Sequence, residues 1–245
     1  MLRPLTLALF LVAGLRGCVV YEYEHEFWLN TDGSGTVYVT GRPELWEAFK
    51  GVEGLTAGSA DAQKAAARRL FESAGLRVNR ISITHRGGRA YLFVSADFDD
   101  INLLQRTKAF PDLTILHEPS GNEIRLSGQW RSLPGSKVAV SNAEGLMAVR
   151  LHLPSKVYEH KNATDGVERG NILGWRQPLR AALAGSPLEF GARMDRRSIL
   201  LSTVGLFAGA IVAALAFLSA VFFWVIRKGR RQLREQVGPA QRADL

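Results

Sequence analysis

The sequence predicts an α+β fold: a mostly antiparallel sheet with two or three helices packed on it, followed by one C-terminal transmembrane helix. Three observations carry this. Between residues 19 and 197 apolar and polar residues alternate with period two in several short runs, as they do in strands with one buried face. A few segments of helical spacing break up those runs without alternating with them regularly, which favours α+β over a doubly wound α/β sheet. Finally, Ser198–Ile226 runs for 29 residues without Asp, Glu, Lys, Arg, His or Pro.

The elements follow in order. Tyr21, Tyr23, His25, Phe27 and Leu29 alternate with Glu22, Glu24, Glu26 and Trp28, giving a first strand. The cluster Asn30–Gly35 is a turn, and Thr36–Thr40 returns as a second strand. Pro43–Phe49 is a short helix with Pro43 in its first turn. Asp61–Ser73 is a longer one, with Ala62, Ala66 and Leu70 on one face, Phe71 beside them and Gly75 suited to its C-terminal end. Val78–His85 and Arg89–Ala96 form a hairpin around Arg86-Gly87-Gly88. Leu92 and Val94 lie on one face of the returning strand, Tyr91 and Phe93 on the other, so this strand is expected in the sheet interior. Asp99 is the expected N-cap of a helix over Ile101–Phe110. Strands follow near Leu113–His117, Glu123–Trp130, Met147–Leu153 and Leu188–Met194.

The apolar run is read as a membrane span. A hydrocarbon core of roughly 30 Å needs about 20 helical residues, so Ser198–Ile226 is long enough to cross with tilt. Phe222, Phe223 and Trp224 gather at its end, as interfacial aromatics do, and Arg227, Lys228, Arg230, Arg231 and Arg234 follow at once. That excess of cations places the C-terminus in the cytoplasm.

At the other end, a basic start (Met1–Arg3) precedes the apolar stretch Leu5–Leu15, which is short for a span and fits an export signal. Leu15-Arg16-Gly17-Cys18 resembles a bacterial lipobox, with Leu three before the cysteine and Gly directly before it; Arg16 departs from the pattern. Cys18 is the only cysteine, so no internal disulfide can form, and lipid attachment is the role expected for it. The expected organisation is a signal peptide over 1–17, an exported domain over 18–197, the span over 198–226 and a basic cytoplasmic tail over 227–245. The main domain would then sit on the outer face of a bacterial cytoplasmic membrane.

Net charge is +8, yet the tail carries +4 and residues 1–17 carry +2, leaving the exported part nearly balanced. This argues against a nucleic-acid partner; membrane lipids are the expected contact of the basic tail. Gly205 and Gly209 form a small-residue face that Ala213 extends, through which a second copy or an envelope protein could pack.

Catalytic chemistry finds little support. His25, His85, His117, His152 and His160 are scattered, and no pair has helical metal-site spacing. Glu22, Glu24 and Glu26 make a row on one strand face, expected to be solvated. Asp97, Asp99 and Asp100 are explained by helix capping. Ser132, Ser136 and Ser141 lie in no nucleophile-elbow context. No cofactor, metal or enzymatic activity is expected. The site expected instead is an apolar groove between helix and sheet for a lipid or amphiphile, lined by Trp46, Phe49, Leu70, Phe71, Trp130 and Trp175. The alternative is a protein–protein interaction module.

Leu153-Pro154-Ser155-Lys156-Val157, Asn162 and Gly170-Asn171-Ile172-Leu173-Gly174-Trp175 together resemble the late motif of the LppM-like bacterial lipoprotein domains. There a Pro-x-Lys-Val strand start is followed by a polar turn, a Gly-Asn pair and a tryptophan. The layout of lipobox, ectodomain, single span and basic tail is also similar. The resemblance implies a sheet curved around helices, akin to lipid-binding helix-grip folds, and a role in the cell envelope. It brings no catalytic positions.

Overall fold

The computed structural model describes residues 21–52, 54–56, 58–133, 143–168 and 171–237, without the side chains of 201, 202 and 233–237. The expected signal peptide, Cys18, Ser136, Ser141, Gly170 and the end of the basic tail lie outside the described residues. The backbone divides into two units, before and after the Arg196–Arg197 bond.

The first unit is mixed α+β. In chain order it contains β1 (Tyr23–Leu29), β2 (Gly35–Gly41), α1 (Pro43–Lys50), α2 (Ala60–Ser73), β3 (Arg77–Arg86), β4 (Arg89–Phe98), α3 (Ile101–Leu104), β5 (Leu113–Ser120), β6 (Glu123–Trp130), β7 (Leu146–His152), β8 (Val157–His160), β9 (Val167–Glu168), β10 (Ile172–Pro178), α4 (Leu179–Leu183) and β11 (Leu188–Asp195). Sheet A has the order β3-β4-β2-β1-β7-β10-β9, and sheet B the order β5-β6-β11-β8. The sequence had suggested one sheet. Alternation shows that one face of a strand is buried but not against what, so it cannot tell one sheet from two. Nor does it reveal that β1 pairs with β7 in parallel, in an otherwise antiparallel arrangement.

Local chemistry accounts for most element ends. Pro43 opens α1, and Gly51 closes it in the left-handed conformation at φ 67°. Ser59 caps α2 by accepting a hydrogen bond from the Ala62 amide. The face α2 buries holds Ala67 and Phe71, with Ala66 and Leu70 half-buried at its margin. Asp100, and not Asp99, caps α3 through the Asn102 amide, and that helix stops at Leu104 instead of reaching Phe110. Asp99 pairs with Arg77 instead, at 3.0 Å. β4 lies between β2 and β3, one strand in from the sheet edge. In the late motif, Asn162 and Asn171 both adopt left-handed backbone, at φ 52° and 57°, which asparagine tolerates better than other non-glycine residues.

The two sheets and the helices share one core. Phe27, Val39, Val94, Val149 and Trp175 come from sheet A; Ile115, Leu126, Trp130 and Phe190 come from sheet B; Trp46, Phe49 and Phe71 come from the helices. Each such side chain contributes about 1.5–3 kcal/mol by leaving water. Gly128 has no side chain because the Phe190 ring lies over it, where a Cβ would stand.

A charged pair, Asp112 and Lys50, sits inside this core. The Asp112 carboxylate, fully buried, accepts from Lys50 Nζ at 3.0 Å and from Trp130 Nε1 at 2.9 Å. Lys50 also donates to the Ala109 carbonyl at 2.6 Å and lies 4.4 Å from the Phe110 ring centre. His25 Nε2 is 3.7 Å from Asp112 and 3.4 Å from the Tyr23 hydroxyl. Burial, followed by the Lys50 charge, pushes the His25 pKa down to about 3, so the ring is neutral.

The second unit is α5 (Ile199–Val237), 39 residues of continuous helix. Thr203–Gln232 is long and apolar enough to cross a membrane, and its large apolar side chains from Val204 to Ile226 are exposed. Gly205 and Gly209 lie on it with open space where a Cβ would stand.

Replacing Asp112 by Ala strands Lys50 in the core. The expected loss is about 3–5 kcal/mol in denaturant unfolding, and the pair replacement Lys50→Met with Asp112→Leu is expected to recover most of it. A single Asp112→Ala variant as stable as the parent would show that the ion pair is not a structural tie.

Candidate functional site

The outward face of sheet A is where the described domain exposes chemistry. Strand register aligns its rows. Phe93, Thr40, Glu24 and Ala148 form one row across β4, β2, β1 and β7; Ser95, Tyr38, Glu26 and Arg150 form the next; Asp97, Thr36, Trp28 and His152 form the third. Because side chains alternate, all of these point away from the shared core.

Charges on this face are paired. Arg150 Nη1 lies 3.6 Å from Glu24 and 3.5 Å from Glu26. His152 Nε2 meets Glu26 Oε1 at 2.6 Å. Glu22, expected to be solvated, is instead 5% exposed and held by Arg42 at 3.0 Å, Arg89 at 3.2 Å and the Tyr91 hydroxyl at 2.9 Å. Desolvation is the main reason the Glu24 pKa rises to about 7; the Glu26 charge adds to it and Arg150 opposes it.

The third row ends in a cleft of about 530 Å³ at the turn end of the sheet. Asn30 and Ser34 from the β1–β2 turn line it, with Thr36, Arg77, Asp97, Asp99, His152 and Trp28. The Trp28 indole is 46% exposed and stacks on the His152 ring, with centroids 3.7 Å apart and planes 11° from parallel. Asp97 accepts from Thr36 Oγ1 at 2.7 Å and from Asn79 Nδ2 at 2.8 Å. A second cleft, of about 780 Å³, opens on the outer face of sheet B beside Tyr158, Lys161, Glu189 and Arg193. There Arg193 bridges Glu123 and Glu159 at 2.7 and 3.0 Å.

The residues expected to line a lipid groove lie elsewhere. Trp46, Phe49, Phe71 and Trp130 are fully buried, and Trp175 is 1% exposed. Phe49 meets Trp130 edge-on at 4.8 Å, Trp46 meets Phe71 at 6.0 Å, and Trp175 meets Phe190 at 5.7 Å. Trp175 also donates its indole N–H to the Lys161 carbonyl. Leu70 is half-buried against the core. None of the six lines either cleft. Among the described residues no group of three or more His, Cys, Asp or Glu could hold a metal ion. Sequence reasoning placed Trp28 on the strand face opposite the core but missed its site, because His152 reaches it only through the parallel β1–β7 pairing.

No family model matches this chain, and no curated protein matches it. Among solved structures it is similar to the folded domain of LppM from Mycobacterium tuberculosis, determined by NMR. That domain is 14% identical, the match covers 74% of this chain and 95% of that one, and the TM-score is 0.39. This is a remote structural relation.

The Glu24 pKa fixes a pH dependence. Its folded value, about 7, exceeds the ordinary 4.5, so between these the native state binds more protons than the unfolded chain. Its contribution to stability therefore falls as pH rises from about 4.5 to about 7. A Glu24→Gln variant is expected to lose this slope and to be more stable than the parent at pH 8. A chemical-denaturation series across pH checks this, and identical slopes in the two proteins would refute it.

Proposed function

We propose that this chain is a membrane-anchored protein of the bacterial cell envelope whose exported domain binds a partner or ligand and carries out no catalysis. The observation that carries the reading is the contrast between a filled interior and a polar, partly exposed outer face that ends in the exposed Trp28. The aromatic residues that could have lined an acyl-chain groove pack on one another. Trp28 and its neighbours instead face water at the mouth of a polar cleft.

Anchoring is supported by the length and composition of α5 and by the cations that follow its apolar part. The reading extends to export of residues 18–197, lipid on Cys18, a cytoplasmic C-terminus in the inner membrane and contact of the tail with membrane lipids. Gly205 and Gly209 would let a second copy or another envelope span pack closely. A lipid or amphiphile remains a ligand of this reading, bound on the outer faces or in a groove opened by displacing α1 or α2 from the core. The interaction-module form requires no such displacement and is the one the geometry favours.

Two measurements test this. Protein extracted gently from its native membrane is expected to show an intact mass lacking residues 1–17 and carrying a lipid on Cys18; a full-length unmodified mass would remove the lipoprotein part. A photo-crosslinking amino acid placed at Trp28 or Tyr38 in cells is expected to give a discrete adduct that is absent when the probe is at the edge residue Leu116. Equal, diffuse labelling at all three positions would overturn the binding-face reading.

A further inference from the structure

Building on the binding face just described, we propose that the cleft beside Trp28 takes a saccharide ring of a cell-wall glycan. The other described tryptophans of the domain, Trp46, Trp130 and Trp175, are at most 1% exposed, whereas the Trp28 indole is 46% exposed. The ring is also fixed in place. His152 stacks on it at 3.7 Å, and Glu26 holds that imidazole by a 2.6 Å hydrogen bond. His152 takes one face of the indole, and both rings line the cleft. Tyr38 approaches only at an angle, with ring centres 6.3 Å apart.

The cleft walls suit a neutral polyhydroxyl ligand better than an ion. Arg77 is already paired with Asp99 at 3.0 Å, and Asp97 is held by two neutral donors. The lining thus sets two carboxylates, Asp97 and Asp99, against the one guanidinium of Arg77, a balance that disfavours an anionic ligand. A sugar ring has an apolar C–H face to lie on a fixed indole, and hydroxyls that donate to carboxylates such as Asp97 and Asp99 and accept from amides such as Asn30. The volume of about 530 Å³ falls within the usual range for small-ligand sites, roughly 300–1,000 Å³. The cleft lies at the surface where the β1–β2 turn meets the ends of β4 and β7, so it is open to a polymer as well as to a free sugar.

The test uses the full chain in phosphatidylcholine nanodiscs, with Trp224→Phe so that Trp28 is the exposed fluorophore of the described residues. The probes are purified peptidoglycan sacculi and soluble, uncharged glycan fragments, short oligomers of N-acetylglucosamine. The protein is expected to sediment with sacculi, to be displaced by the fragments, and to show a blue shift in emission on binding them. Trp28→Ala is expected to weaken binding by about tenfold and Trp28→Phe by less, both with a native circular-dichroism spectrum; Asp99→Asn is expected to weaken it as well. Failure to bind sacculi or fragments, unchanged binding in Trp28→Ala, or binding only to lipid vesicles would each overturn the proposal. If the probe at Trp28 captures a protein while the sacculi capture nothing, the binding face stands and the saccharide assignment falls.

Discussion

Asp112 is the point on which the domain closes. Its carboxylate is gripped by Lys50 at the end of α1 and by Trp130 at the end of β6, and His25 of β1 lies 3.7 Å away. One buried anion thus joins a helix, sheet A and sheet B. Burying two charges costs several kcal/mol per ion, and the attraction between them offsets this only where geometry is good and the remaining valences are filled. Both conditions hold here: Lys50 has a carbonyl and an aromatic face besides the carboxylate, and both Asp112 oxygens are engaged. The arrangement resists sliding of one sheet over the other. Hydrophobic contact alone is non-directional and would not fix that register.

This closure decides what the interior can do. With the sheets and helices drawn onto one anion, Tyr23, Phe49 and Trp130 interlock at centroid distances of 4.8 to 6.4 Å. At such packing a guest could enter only by displacing rings, at a cost comparable to the few kcal/mol each ring contributes. The aromatic residues that looked like a ligand site in the sequence are the material of the core. The outer faces are different: there side chains are fixed by ion pairs instead of by burial.

The sequence made the α+β class readable because period-two runs and two helical segments are local signals. β1, β2, the β3–β4 hairpin, α1, α2 and the strands β5, β6, β7 and β11 all follow from such signals. What it hid is non-local. β10 was not legible as a strand, because Gly174 and Arg176 opposite Leu173 and Trp175 read equally well as a loop motif. The split into two sheets and the parallel β1–β7 pair depend on which strands meet. The cluster on the outer face was hidden for the same reason: Glu26 and His152 are 126 residues apart and become partners only through that pairing. Trp46 and Trp130 could be recognised as large apolar residues, but whether they line a cavity or fill one depends on packing distances of a few ångströms that no local pattern encodes.

The outer face of sheet A is not arranged for stability alone. A sheet face that needed only to be soluble would carry charges free in water, each near its ordinary pKa. Here the Glu24 carboxylate is half-desolvated, set beside Glu26 and left with a pKa near 7, so at neutral pH its ionised form is held at a cost to folding. Arg150 and Glu26 between them serve Glu24, His152 and, through His152, the orientation of Trp28. Local rules of packing and charge are broken together on one patch, and the patch ends in the one exposed indole described in this domain. Concentrated departures of this kind are what the proposed binding face rests on, since the Asp112 closure lies on the opposite face of the same sheet.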